Sequence, residues 1–254
     1  MDDSVEAYKM SAPVQSSGFG GVEAVMLRTM PEVVGPTPQH AEMDAVRPLN
    51  RMSVQARKYR RAKRLLDVTF SLGFLLVTGP WLFPVIAILI KLGSRGPVLF
   101  RQERVGWMGD RFVCLKFRTM SVDPDAEFTQ AQKNDPRVTR VGKFLRQTNL
   151  DELPQFINVL RGEMSVVGPR PHVYQLDELH CDTVPGYELR TLIRPGVTGL
   201  AQISGCRGET RSLRDMEHRI RFDLFYLKNM SLMLDLKIIL LTALRVVQGD
   251  SKAY

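Results

Sequence analysis

VTFSLGFLLVTGPWLFPVIAILI, residues 68–90, is an uncharged apolar run of 23 residues with Pro80 and Pro84 in its interior. As a straight α-helix it would measure about 34 Å, long enough to cross a bilayer core. Each proline, however, removes a helical hydrogen bond and crowds the turn before it. The flanks are informative as well. Arg-Lys-Tyr-Arg-Arg-Ala-Lys-Arg at 57–64 carries six positive charges, and the exit side carries Lys91, Arg95, Arg101 and Arg104. A spanning helix is positive mainly on its cytoplasmic side, so two basic flanks fit a helix–break–helix hairpin that enters one leaflet and returns, with Gly79 and Pro80 at the bend. A single span and a buried core helix are the competing readings.

Outside this run the chain reads as a folded domain with an appended tail. Residues 1–56, with Gly-Phe-Gly-Gly and Pro36-Thr37-Pro38, have the composition of a disordered tail, apart from a short helical pattern at Val22–Met30. They contain no basic start, apolar core and cleavage site of a signal peptide. Residues 1–50 hold three basic and seven acidic residues, a net of −4; with +8 overall, the remainder carries +12. So positive a body favours anionic partners. Nucleic acid is the less suitable one, because zinc-finger spacing, an aromatic RNA-binding signature and a basic zipper are all missing. Cys114, Cys181 and Cys206 are odd in number and far apart, which suits free thiols rather than a disulfide frame, and the four histidines lack zinc-ligand spacing.

Downstream, Pro97–Gln102 and Arg111–Arg118 read as two short strands around a glycine turn, with Lys116 and Arg118 on one face of the second. Val141–Gln147 reads as a short basic helix, Leu153–Leu160 as an amphipathic helix ending at Gly162, and residues 194–205 as a glycine-punctuated loop or short strand. Arg211–Tyr226 is a charged helix. Leu232–Val247 is very apolar but contains Asp235, Lys237 and Arg245, so it is expected to lie on a surface rather than to span. The expected class is α/β, mostly helical with a few short strands, in a membrane-associated monotopic arrangement. It divides into a tail (1–56), a basic flank with membrane hairpin (57–95), and a cytoplasmic catalytic domain with interfacial helices (96–254).

The chemistry is expected at Asp151-Glu152-Leu153-Pro154-Gln155. Proline is tolerated in the first turn of a helix, so both carboxylates sit at a helix start, where acidic residues also serve as ordinary caps. Basic residues surround them: Arg137, Arg140, Lys143 and Arg146 before, Arg170 after. Arg170 lies in Gly168-Pro169-Arg170-Pro171, and its flanking prolines narrow its backbone range, which suits a phosphate ligand that must be placed accurately. Arg140 and Lys143 read better as a basic surface facing headgroups.

Lys116-Phe117-Arg118-Thr119-Met120, Asp151–Gln155, Asn158-Val159-Leu160-Arg161-Gly162, Gly168–Pro171 and Arg194-Pro195-Gly196-Val197-Thr198-Gly199 occur in one order. Together they resemble the bacterial sugar transferase family, monotopic phosphoglycosyl transferases that prime exopolysaccharide assembly. The resemblance covers roughly residues 58 to 248 and is nearest the small exopolysaccharide type. It implies a UDP-sugar donor bound with Mg²⁺, Asp151 as nucleophile, Glu152 as metal ligand, and undecaprenyl phosphate as acceptor at the cytoplasmic face of the inner membrane. The transferred group would be a hexose 1-phosphate such as that of galactose or glucose. Phosphate contacts are expected from Arg170, Arg146, Lys116, Arg118 and Arg194, in that order, and Asp223 is expected to help hold the nucleotide. The family's bend carries Ser-Pro, whereas this chain has Thr78-Gly79-Pro80. An inactive membrane-bound scaffold is the alternative function, disfavoured by the intact Asp151–Glu152 pair and Arg170.

Overall fold

In the computed structural model, which describes residues 54–121, 135–206 and 212–248, the apolar run lies inside one helix, α1 (Val54–Gly93). The expected tail therefore ends earlier than residue 56, since 54–56 already belong to α1. Residues 1–53, including the helical pattern at Val22–Met30, lie outside the described residues. The expected break also takes a different form. Gly79 and Pro80 remain helical, so Pro84 and Pro80 are accommodated within α1 rather than ending it. Side chains serve carbonyls of the crowded turns: the Thr78 hydroxyl donates to Phe74 O (2.8 Å) and the Trp81 indole N–H to Val77 O (2.7 Å). Hydroxyl back-bonding of this kind and internal proline both favour a bent helix over a terminated one.

Both ends of α1 pack on the same folded body. Toward its start, Asp67 is buried, and Phe74 lies against Phe156 with ring centroids 4.6 Å apart. Toward its end, Ile86 and Ile90 are buried, and Phe83 meets Phe117 edge-on at 5.1 Å. Between these contacts the helix presents Leu76, Val77 and Trp81, each 60% exposed or more. Among the described residues α1 is the one helix long and apolar enough to cross a membrane.

The strands expected after the membrane run form an antiparallel hairpin, β1 (Leu99–Val105) and β2 (Arg111–Phe117). Its register pairs Phe100 with Lys116, Gln102 with Cys114 and Arg104 with Phe112, so these six side chains share one face. Helix α2 (Arg140–Gln147) follows, capped by the Thr139 hydroxyl, which accepts from Gly142 N (2.9 Å). Gly142 is required here because a Cβ at that position would overlap the carbonyl of Thr119. A 3-10 turn, Leu150–Glu152, leads into α3 (Gln155–Arg161), and Gly162 ends that helix in the left-handed region (φ 86°).

A parallel pair, β3 (Ser165–Val167) and β4 (Gly196–Thr198), ties the two proline-glycine motifs together, with α4 (Tyr174–His180) and a 3-10 segment, Tyr187–Leu192, between them. The loop expected at 194–205 contains β4 and the short helix α5 (Leu200–Ile203). The last two helices are α6 (Leu213–Asn229), with a Ser212–Asp215 capping box, and α7 (Leu232–Gln248).

Helix α7 has the expected amphipathic form but with inverted polarity. Met233, Leu236, Leu240 and Leu244 are exposed in one stripe, while Asp235 is fully buried. Asp235 accepts from Lys63 Nζ (2.9 Å) and from the hydroxyls of Tyr59 (3.2 Å) and Tyr226 (2.6 Å). The charge that argued against a span thus pins α7 to the start of α1.

Candidate active site

Asp151 and Glu152 occupy the 3-10 turn that opens onto α3, and both are buried. Two features hold α3 in place. Asn158, fully buried, donates to Val113 O (2.7 Å) and Glu163 Oε2 (2.6 Å) and accepts from Leu115 N (3.0 Å), locking α3 against β2 one residue before Lys116. At the C-terminal end of α3, Arg64 donates to Val159 O (2.6 Å) and Leu160 O (3.0 Å), and Arg194 Nε donates to Gly162 O (2.7 Å). Cations at that end satisfy the orphan carbonyls and complement the dipole.

Glu152 is the centre of the cluster. Lys116 Nζ lies 2.7 Å from its Oε1; Arg170 Nη2 donates to the same oxygen (2.8 Å), and Arg170 Nη1 reaches Oε2 (3.4 Å). Arg104, on the hairpin face it shares with Lys116, adds a third positive charge felt by both Lys116 and Arg170. Burial pulls the Lys116 ammonium below the usual lysine range; Glu152 opposes that shift, and Arg170 and Arg104 add to it. Arg170 is shifted the other way, chiefly by the carboxylate of Glu152. Three cations around two adjacent carboxylates leave the site positive, as a diphosphate ligand requires.

The structure therefore brings together Asp151, Glu152, Lys116 and Arg170 of the expected set. Arg118, Arg194 and Asp223 have partners in other parts of the fold. Arg146 Nε donates to Thr119 Oγ1 (2.9 Å). Arg118 is buried at the end of α1, where Nη2 donates to Ser94 O (2.8 Å) and Oγ (3.0 Å). Arg194 sits at the C-terminal end of α3, opposite the carboxylates, with its guanidinium over the Trp107 ring. Asp223 is buried in an ion pair with Arg190 (3.1 Å). Gly79 and Pro80 lie in the exposed middle of α1.

Two arginines at the site escaped sequence reading. Arg104 reads in the sequence as a membrane-flanking charge; placing it beside Lys116 takes the hairpin register. Arg190, in the 3-10 segment, carries no motif at all.

The glycines of the motifs have a shared purpose. A Cβ on Gly196 would overlap the backbone of Gly168, and a Cβ on Gly199 would overlap the Gly168 carbonyl. Gly168 N donates to Thr198 O (2.9 Å) and Gly196 N to Pro169 O (2.8 Å). The Gly168–Pro171 and Arg194–Gly199 motifs are thus one backbone-to-backbone unit that presents Arg170 to Glu152.

Comparison with known proteins finds relatives over most of the chain. The chain is 53% identical over 184 residues to a UDP-glucose:undecaprenyl-phosphate glucose-1-phosphate transferase of Klebsiella pneumoniae, a match covering 72% of this chain and 39% of the relative. A protein of the same name from Caulobacter vibrioides is 43% identical over 226 residues, covering 89% of this chain and 82% of that one. An Aeromonas hydrophila relative, 40% identical over 192 residues (75% of this chain, 45% of the relative), is named for transfer of N-acetylgalactosamine phosphate to undecaprenyl phosphate. The chain spans about two fifths of the length of the Klebsiella relative. The model of the family described as bacterial sugar transferase matches residues 58–249, and with these relatives it places the chain in the bacterial sugar transferase family.

Proposed function

We propose that the protein transfers a sugar 1-phosphate from a UDP-sugar to undecaprenyl phosphate, as the first membrane step of exopolysaccharide assembly. The observation that carries this reading is the buried Asp151–Glu152 pair with Lys116 and Arg170 converged on Glu152. A carboxylate oxygen of Asp151 attacks the phosphorus that bears the sugar, the bond from that phosphorus to the UMP oxygen breaks, and UMP departs with the bonding pair. A phosphate oxygen of undecaprenyl phosphate then attacks the same phosphorus. The acyl-phosphate bond to Asp151 breaks, which frees the carboxylate and leaves the lipid diphosphate sugar. Lys116, Arg170 and Arg104 position the diphosphate and offset the charge on its oxygens, the main source of rate in phosphoryl transfer.

The donor set fits Mg²⁺. Asp151 and Glu152 offer adjacent hard oxygen donors, and the cations now on Glu152 have long side chains that can move to phosphate oxygens. Among the described residues no cluster of three His, Cys, Asp or Glu is assembled, so phosphate and water oxygens would complete the shell around Glu152. When bound, the ion offsets charge on the diphosphate and on the departing UMP.

Membrane placement follows the same reading. Both ends of α1 pack on one catalytic body while its apolar middle is exposed, as suits a re-entrant hairpin at the cytoplasmic face of the inner membrane. The relatives' names divide between glucose and N-acetylgalactosamine, which makes glucose the first donor to test and leaves galactose and N-acetylated sugars in the panel. The deciding experiment is intact-protein mass after incubation with Mg²⁺ and a panel of UDP-sugars, without lipid acceptor. The expected result is a gain of one phosphosugar in the wild type and none in Asp151→Asn. Turnover retained by Asp151→Asn would overturn the nucleophile. Failure to release UMP from any donor with undecaprenyl phosphate present would favour the scaffold alternative.

A further inference from the structure

Four consecutive carbonyls of the segment that carries Arg170 are held by three parts of the fold. Gly196 N donates to Pro169 O (2.8 Å), Arg190 Nη2 to Arg170 O, Arg104 Nη1 to Pro171 O (2.6 Å) and Val105 N to His172 O (3.1 Å). Prolines 169 and 171 have no N–H, so the acceptors of this segment anchor it. The contact at Arg170 itself comes from Arg190.

Arg190 is in turn fixed on several sides. It is buried, paired with Asp223 (3.1 Å), and placed over the Tyr187 ring at 5.4 Å. Its Nη1 meets His172 Nδ1 (2.5 Å), which also faces the Tyr187 hydroxyl (2.6 Å), and Arg219 approaches His172 Nε2 (3.4 Å). The reaction scheme above leaves this network without a part.

We propose that Arg190, held by Asp223, is a positioning residue that sets the reach of Arg170 through the Arg170 carbonyl. The guanidinium of Arg190 donates through Nη2 to Arg170 O, meets the buried His172 through Nη1, and forms an ion pair with Asp223. A shift of the Arg170 backbone moves its guanidinium relative to Glu152 and to any phosphate bound there, and misplacement by about 1 Å can cost 100-fold in rate. Asp223 on this view acts through Arg190 without touching the nucleotide. The inference rests on the phosphosugar-transfer reading.

The test is a double-mutant cycle of Arg190→Met and Arg170→Ala, read as kcat/KM for the donor and as UDP affinity by calorimetry. Arg190→Met is expected to lower kcat/KM roughly 10–100-fold in the wild-type background and less than about threefold where Arg170 is already alanine. Equal losses in both backgrounds, or no loss in either, would overturn the inference, because a merely structural role is indifferent to Arg170. Should Arg190→Met fail to fold, Asp223→Asn takes its place in the cycle, with an expected loss of about 3–10-fold that again vanishes without Arg170. If the wild type transfers no phosphosugar, the functional reading fails. The cycle in UDP affinity then judges Arg190 by itself: coupling supports the inference and additivity overturns it.

Discussion

Glu152 is a buried carboxylate, and a buried carboxylate needs opposite charge, which the part-buried Lys116 and Arg170 supply. Such pairs are readily exchanged for phosphate oxygens, which offer the cations equal or greater negative charge. His172 faces the opposite situation. It is buried among Arg190, Arg219, Arg104 and Arg170, and burial followed by those charges holds its imidazole well below the ordinary histidine pKa of 6.5. The folded state therefore keeps His172 neutral at a pH where the unfolded chain protonates it. Stability from this group is fully present above about pH 6.5 and falls as the pH drops below, by at most about 1.4 kcal/mol per pH unit. Urea unfolding in detergent between pH 7 and 5 should show a shallower pH slope in His172→Gln than in the wild type; matching slopes would refute it.

At the scale of elements, the small motifs act as packing instructions. Asn158 and Gly162 bracket α3, so its N-terminal turn, with Asp151 and Glu152, and its C-terminal end, with Arg64 and Arg194, are held independently. Gly168, Gly196 and Gly199 let two loops meet at backbone distance. We expect Gly196→Ala to push β3 and β4 apart, with a loss of about 1–3 kcal/mol in stability from overpacking. The same variant should lose activity beyond what its folded fraction explains, because Arg170 moves with the loop. Activity proportional to the folded fraction would separate the glycine from the placement of Arg170.

At the scale of the whole molecule, the folded body grips both ends of the long apolar helix α1. Lys63 and Arg64 at one end reach Asp235 and α3, and Arg118 reaches Ser94 just past the other end. Among the described residues, the stripe of α7 and the middle of α1 expose large apolar side chains, as the proposed membrane placement requires. For a re-entrant helix, cysteines placed at Arg60 and at Arg95, in a background without Cys114, Cys181 and Cys206, should both react with an impermeant maleimide in inverted membrane vesicles. Labelling at one end alone would establish a span.

Much of this was determined by sequence alone, for identifiable reasons. The apolar run with basic flanks, the hairpin, α2, α3, α6 and α7 follow from periodicity and from glycine and proline, which act locally. Asp151, Glu152, Lys116 and Arg170 stand out in the sequence by residue type, spacing and family resemblance, and the structure brings the four together. Only the tertiary structure decided which cations converge. Lys116, Arg118 and Arg194 look alike as local signals, yet Lys116 joins Arg170 on Glu152, while Arg194 caps α3 and Arg118 holds the end of α1. The same holds for Asp235, whose charge argues against a span but does not name its partners, which packing makes Tyr59, Lys63 and Tyr226. A side chain's charge is a property of the residue, but the partner that neutralises it is a property of the fold, chosen by elements as much as 176 positions apart in the chain.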